Sequence, residues 1–187
     1  MGLGPPEIEL YRLLKLQGAL EGIAEVMELG SQDFWCPQKN LVIALYKAFG
    51  RDKVDPVLLN TTNASQQPAR LLYEGIGITY GCVDVDGRVG SVVMDLNFDA
   101  VPEAHKGKYG LVTNFGTSEH ILNQYNVFKA SMSSRAPAAC SCTRCRSPCT
   151  WSMDSSIISG ISSRRWRATI RTRRSACGSG PIGSSRA

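Results

Sequence analysis

The sequence predicts an α/β protein in which helices flank a parallel β-sheet. Short apolar runs that end at glycine or aspartate indicate buried strands. They alternate along the chain with segments whose apolar residues recur every three or four positions, as in helices. Strands that alternate with helices pair in parallel through right-handed crossovers. Because ligands of such sheets bind beyond the carboxyl ends of the strands, we expect functional residues there.

Helices are predicted where the apolar spacing is helical and a glycine follows. Three such segments cover residues 8–16, 41–49 and 69–74. The last of them begins after Pro68, which suits the first turn of a helix. A fourth helix is predicted near residue 121, with an apolar face made of Ile121, Leu122, Tyr125 and Phe128.

Strands are predicted between these helices, at residues 23–29, 79–85, 91–94 and 109–114. Residues 52–68 are polar and rich in Asn, Thr and Gln, so they are predicted to be mainly a connecting loop.

Acids stand at the ends of the predicted strands. Glu28 and Gly30 end the first strand, and a glycine turn there lets a ligand approach the backbone. Asp84 and Asp86 end the second strand, where a carboxylate can accept two hydrogen bonds from a ribose diol. Asp95 ends the third strand and offers an acceptor for an exocyclic amine. Each of these positions can also be a polar or tight turn without a ligand.

The order and spacing of four segments resemble class I S-adenosylmethionine-dependent methyltransferases over roughly residues 22–130. The segments are Val26-Met27-Glu28-Leu29-Gly30, Cys82-Val83-Asp84-Val85-Asp86, Met94-Asp95-Leu96, and the run from Tyr109 to His120.

This resemblance implies a Rossmann-like sheet, incomplete in this chain, with S-adenosylmethionine as cofactor. It places Glu28 and Gly30 beside the methionine end of the cofactor. It also implies that Asp84 holds the ribose, with Asp86 as its substitute, and that Asp95 faces the adenine amine.

Two more residues follow from the resemblance, and two features depart from it. Asn114 and Phe115 would border the cofactor and the substrate opening. Gln32 stands where the family's turn usually has a second glycine, and the stretch between Glu28 and Asp84 is longer than usual. The methyl acceptor is unknown, with small-molecule, sugar, lipid and protein acceptors all open. No catalytic base is assigned, because many methyltransferases act by positioning and desolvation.

The composition changes at residue 130. Residues 1–130 carry a net charge of −4, whereas residues 131–187 carry +9, hold five of the seven cysteines and contain no Leu or Val. This change sets off a Ser-, Arg- and Cys-rich tail at 131–187. The helical spacing predicts an N-terminal helix within 1–21, and the resemblance implies a partial methyltransferase domain at 22–130.

The tail looks like coding sequence read in a shifted frame. If each codon takes the third base of one residue and the first two bases of the next, residues 131–140 can encode Asp-Glu-Leu-Thr-Arg-Pro-Gly-Gly-Leu. That reading supplies the turn which the family has at this place. The tail is then expected to be disordered or poorly packed, the fourth strand to lie at the edge of the sheet, and methyl transfer to be impaired.

The alternative is a small α/β binding module whose tail binds nucleic acid or a metal. Four cysteines could form a cluster, although they lack the paired spacing of a zinc ribbon, and arginines at 164–174 could bind RNA or acidic lipid. The cysteines are Cys140, Cys142, Cys145 and Cys149. The favoured interpretation expects no metal, no specific nucleic acid and no membrane partner. It expects a cytoplasmic location, since the N-terminus is not a secretory signal and no apolar run approaches about 18 residues.

Overall fold

A computed structural model of the chain describes residues 2–144 and 151–153. In that part of the chain the helices are α1 Pro5–Leu16, α2 Lys39–Ala48, α3 Pro56–Leu59, α4 Ala69–Gly75 and α5 Gln124–Ser134. The strands are β1 Gly2–Leu3, β2 Glu25–Leu29, β3 Asp33–Phe34, β4 Gln67–Pro68, β5 Thr79–Asp84, β6 Val92–Val93, β7 Tyr109–Phe115, β8 Arg135–Arg144 and β9 Trp151–Met153.

The main sheet has the strand order β6-β5-β2-β7-β8-β9. The first five strands are parallel, and only β9 pairs antiparallel, at the end of the sheet. Counted along the chain, the parallel strands follow the order 3-2-1-4-5, which is that of a Rossmann-like sheet. The predicted fold class, α/β with a Rossmann-like parallel sheet, is confirmed. The strand order reverses between β2 and β7, and the carboxyl ends of these two strands therefore flank the position where such sheets bind ligands.

Alternation along the central strands divides the core between the two faces of the sheet. Met27 and Val112 face one side, where they pack in a buried cluster with Val127 of α5. Glu28 faces the other side, where Tyr73 of α4 approaches it.

The predicted helices and strands of the first 115 residues are found within a few residues of their expected bounds. The predicted loop at 52–68 also contains the single-turn helix α3, because Asp55 accepts a hydrogen bond from the backbone N–H of Val57 and caps it. The same segment ends in β4, which joins β1 and β3 in a second, small sheet.

The predicted apolar face of the last helix is wrong. Leu122 precedes α5 and is 95% exposed, and Tyr125 is 76% exposed. The helix begins at Gln124 and buries a different face, formed by Val127, Ala130, Ser131 and Ser134. Their spacing of three and four residues turns this set toward the sheet and leaves Tyr125 and Phe128 on the solvent side.

The prediction that the fourth strand lies at the edge of the sheet is also wrong. Residues 111–115 of β7 pair one to one with residues 140–144 of β8. The pairing is irregular before that point: Tyr109 pairs with Arg135, so residues 136–139 lie opposite Gly110 alone.

The described start of the tail forms regular structure: residues 131–134 complete α5, and residues 135–144 form β8, which pairs with β7. Ser131 and Ser134 occupy buried positions of α5, and the hydroxyl of Ser134 has no hydrogen-bond partner. Residue 130, where the composition changes, falls inside this helix. Cys145, Cys149 and the arginines at 164–174 lie outside the described residues.

Candidate functional site

The loops after β2 and β7 meet at the point where the strand order reverses. Gly30 has a φ of +78°, a backbone conformation that L side chains rarely adopt. A Cβ atom at this position would lie 2.9 Å from the Cβ of Thr117, and closer still to its hydroxyl. Glycine is therefore required here both by the backbone conformation and by the close approach of the β7 loop.

Gln32 connects the same two loops. Its side chain is buried, and Nε2 donates to the hydroxyl of Thr117 at 2.9 Å and to the carbonyl of Gly30 at 3.4 Å. The residue that departs from the methyltransferase pattern thus ties the β2 turn to the β7 turn. Sequence reasoning noticed Gln32 only as a missing glycine, because a partner 85 residues away is not visible in a local motif.

Asp84 reaches the glycine turn from the neighbouring strand. One carboxylate oxygen accepts from the backbone N–H of Ser31 at 2.7 Å, and the other accepts from that of Val85 at 2.7 Å. A carboxylate offers about four lone-pair positions, so Asp84 can still accept hydrogen bonds from a ligand. The structure therefore brings Asp84 and Gly30, two of the predicted site residues, to the same loop.

Asp86 lies farther out, on the surface turn after β5. It accepts from the backbone N–H of Arg88 at 2.9 Å. The guanidinium of Arg88 lies 3.9 Å from Asp86 and 3.7 Å from Asp33, and its side chain is more than half exposed. Water screens ion pairs of this kind, so the contact adds little to stability.

Glu28 lies beneath the turn and is fully buried. Its Oε2 accepts from the hydroxyl of Tyr80 at 2.6 Å and from the backbone N–H of Gln32 at 3.1 Å. Oε1 faces the hydroxyl of Tyr73 at 3.5 Å. Burial raises the pKa of Glu28 to about 7, and the three hydrogen bonds oppose that rise.

The tyrosines around Glu28 form a buried network that sequence reasoning missed. The hydroxyls of Tyr11 and Tyr73 lie 2.5 Å apart, and the ring of Tyr73 stacks on that of Tyr80. Burial, and then the neighbouring carboxylate, raise the pKa of Tyr80, so this phenol stays protonated. The residues come from α1, α4 and β5, and no local pattern in the sequence links them.

Asp95 shapes the loop after β6. It accepts from the backbone and side-chain N–H groups of Asn97 at 2.8 and 3.0 Å. The side chain of Asn97 in turn accepts from the backbone N–H groups of Leu122 and Asn123, just before α5. The next side chain, Phe98, is 84% exposed. Asp95 therefore shapes the loop after β6, and Asn97 links this loop to the segment between β7 and α5.

Asn114 and Phe115 end β7 and are both buried. The side-chain oxygen of Asn114 accepts from the backbone N–H of Ser118 at 3.2 Å and shapes the turn that carries Thr117. Phe115 packs edge-on against Tyr11, with ring centroids 5.9 Å apart. Asn114 thus shapes the turn after β7, whereas Phe115 packs on the other face of the sheet, against Tyr11 of α1.

Comparison with known proteins does not assign the chain to a group: no family model matches it, and no curated protein is significantly similar to it. Within residues 2–144 and 151–153, no group of three or more His, Cys, Asp or Glu side chains is arranged to hold a metal ion. None of the helices described there is both long and apolar enough to cross a bilayer.

Proposed function

We propose that this chain binds S-adenosylmethionine at the carboxyl ends of β2, β5 and β7, and transfers its methyl group to an acceptor. The observation that carries the proposal is the contact between Asp84 and the backbone of the glycine turn. A carboxylate at the end of the second strand, beside a glycine turn at the end of the first, is the arrangement with which Rossmann-like sheets hold a ribose.

Each residue at this edge has a proposed role in binding. The carboxylate of Asp84 accepts hydrogen bonds from the ribose hydroxyls, and Asp86 is the alternative acceptor. Gly30, with its positive φ, forms the turn whose backbone faces the ligand, while Thr117 takes the space that a side chain at Gly30 would need. Asp95, in the loop after β6, accepts from the adenine amine.

Glu28, Asn114 and Phe115 are buried, and their proposed roles are to position the loops that contact the cofactor and, for Glu28, to add charge beneath them. Asn114 fixes the turn after β7, Glu28 holds the backbone N–H of Gln32 in the turn after β2, and Phe115 packs against Tyr11 beneath them. The cofactor supplies a methyl group on a positively charged sulfur. The chain contributes positioning and exclusion of water, which need no general base.

Calorimetry of S-adenosylmethionine binding tests this proposal. Asp84→Ala is expected to weaken binding by about 1–3 kcal/mol, the scale for losing hydrogen bonds to a charged acceptor. Asp52→Ala, which makes the same charge change at an exposed position after α2, should bind like the unmodified protein. Asp86→Ala measures how far Asp86 substitutes for Asp84. The proposal is wrong if the unmodified protein does not bind the cofactor, or if neither Asp84→Ala nor Asp86→Ala changes the affinity.

A further inference from the structure

The buried carboxylate of Glu28 is surrounded by hydrogen-bond donors, and no cation from the described residues forms an ion pair with it. The backbone N–H of Gln32 approaches it from the loop that the ligand would contact. No ion pair joins Glu28 to a Lys, Arg or His side chain in the portion of the chain that the structure describes. The titratable side chains that face it from the surrounding elements are Tyr80, Tyr73, Asp33 and Cys82, with Tyr11 behind Tyr73.

The two oxygens of Glu28 have different surroundings. Oε2 already accepts two hydrogen bonds, from Tyr80 and from the backbone of Gln32. Among the residues that the structure describes, Oε1 has one hydrogen-bonding contact, the longer one with Tyr73. A proton on Oε1 can be donated to the hydroxyl of Tyr73, whose own hydrogen then points to Tyr11. Both bonds of Oε2 are kept, so Glu28 can gain or lose a proton without a change in the loop.

The location of Glu28 makes this charge important for a ligand. The residue lies two positions before Gly30, at the end of the strand where the order of the sheet reverses. Charges interact strongly across a buried region of low dielectric constant. Because burial brings the pKa of Glu28 to about 7, the carboxylate changes its charge near neutral pH.

We infer that Glu28 is a specificity-determining residue that favours a cationic ligand, and thus the sulfonium of S-adenosylmethionine over the neutral thioether left after methyl transfer. The inference rests on the proposed function, since it concerns the same cofactor. Deprotonated Glu28 attracts the sulfonium, whereas the thioether has no positive sulfur to attract. The loss of that positive charge in the reaction therefore favours release of the product.

The experiment compares the affinities of S-adenosylmethionine and S-adenosylhomocysteine at pH 6 and pH 8 by calorimetry. Both ligands carry the same amino-acid group. Its ionisation therefore changes the two affinities in a similar way, and this effect largely cancels when their ratio is taken. In the unmodified protein this ratio should rise about tenfold in favour of the sulfonium between the two pH values, as Glu28 becomes charged. In Glu28→Gln, which is neutral and keeps a donor toward Tyr73, the ratio should stay constant.

Two further variants keep the test decisive if Glu28→Gln does not fold. Tyr80→Phe removes a hydrogen bond that stabilises the anion, so it should move the rise in the ratio to higher pH. Tyr46→Phe alters a buried tyrosine beside Gly75 and should leave the rise unchanged.

The outcomes separate the two proposals. If neither ligand binds at either pH, the proposed function fails. If both ligands bind but their ratio does not depend on pH, or rises equally in Glu28→Gln, the cofactor assignment stands and the role of Glu28 is wrong. With Glu28→Gln unfolded, an unshifted rise in Tyr80→Phe also overturns it.

Discussion

Gly30 shows how one residue joins backbone conformation to the geometry of the site. It combines a positive φ with a Cβ direction blocked by Thr117, whereas Gly50, after α2, has a φ of +71° and nothing within 4 Å of its Cβ direction. The two glycines therefore separate the conformational cost of a side chain from its steric cost.

We predict that Gly30→Ala lowers the free energy of unfolding by about 3 kcal/mol, because conformational strain and overpacking both act. Gly50→Ala, the matched control, should cost about 1 kcal/mol, because only the conformational strain remains. Urea denaturation followed by circular dichroism measures both values. Equal losses in the two variants would show that Thr117 does not crowd this turn.

Glu28 makes the stability of the fold depend on pH. Burial raises its pKa from an ordinary value of 4.5 to about 7 in the folded chain. The folded state therefore holds the proton more tightly than the unfolded state, and this contribution is complete below about pH 4.5. This stabilisation is lost as the pH rises from 4.5 through 7. Over this range the unfolded chain has already released the proton, whereas the folded chain still holds it.

We predict that the unmodified protein loses about 3 kcal/mol of unfolding free energy relative to Glu28→Gln between pH 4.5 and pH 8. Every other titrating group is common to the two proteins, so the difference isolates Glu28. Urea denaturation at a series of pH values provides the measurement. Parallel stability profiles for the two proteins would contradict a buried carboxyl with a raised pKa.

The site residues show how far sequence reasoning reaches at this scale. The placement of Asp84 and Gly30 at the ends of neighbouring strands could be predicted, because a strand, a turn residue and a polar side chain are adjacent in the sequence. The environment of Glu28 could not, because it depends on which helix covers that face of β2. The same limit applies to Gln32, whose partner Thr117 lies on another strand.

At the scale of elements, α5 shows the effect of the change in composition. The apolar residues at its start suggest one face, but the helix packs through Val127, Ala130 and two serines. The backbone carbonyls of Ser133 and Ser134 accept from the loop before β7, at 2.8 and 3.1 Å. These bonds fix the end of the helix and bring Ser134 into the core, although its hydroxyl has no partner there.

We predict that Ser134→Ala raises the free energy of unfolding by about 1 kcal/mol more than Ser133→Ala does. Both changes improve helix propensity by the same amount, but only the first removes a buried hydroxyl without a hydrogen bond. Thermal and urea unfolding of the two variants provide the comparison. If the gains are equal, the hydroxyl of Ser134 is solvated. In the shifted frame, the codons of Ser133 and Ser134 can encode a leucine, a residue that suits this buried position.

At the scale of the whole molecule, the sheet was predicted correctly up to β7 and incorrectly beyond it. The apolar runs of β2, β5 and β7 are strong local signals. Residues 135–144 contain Pro137 and no Leu, Val or Ile, so nothing local predicts a strand there. They form β8 because the open edge of β7 offers backbone donors and acceptors. The four residues opposite Gly110, including Pro137, stand outside the regular ladder.

The last prediction concerns β8, which pairs with the otherwise open edge of β7. A chain that ends after Met153 keeps β8 and β9, whereas one that ends after Ser134 keeps α5 but leaves β7 unpaired on one side. We predict that the shorter chain melts at a lower temperature and aggregates as its concentration rises, because β7 is buried and its backbone groups would lack partners. Thermal unfolding and size-exclusion chromatography over a range of concentrations compare the two chains, with the full chain as reference. If the chain ending after Ser134 is as stable and as monomeric as the one ending after Met153, then β8 does not protect β7. In that case β7 would tolerate being the edge strand of the sheet, as the sequence predicts.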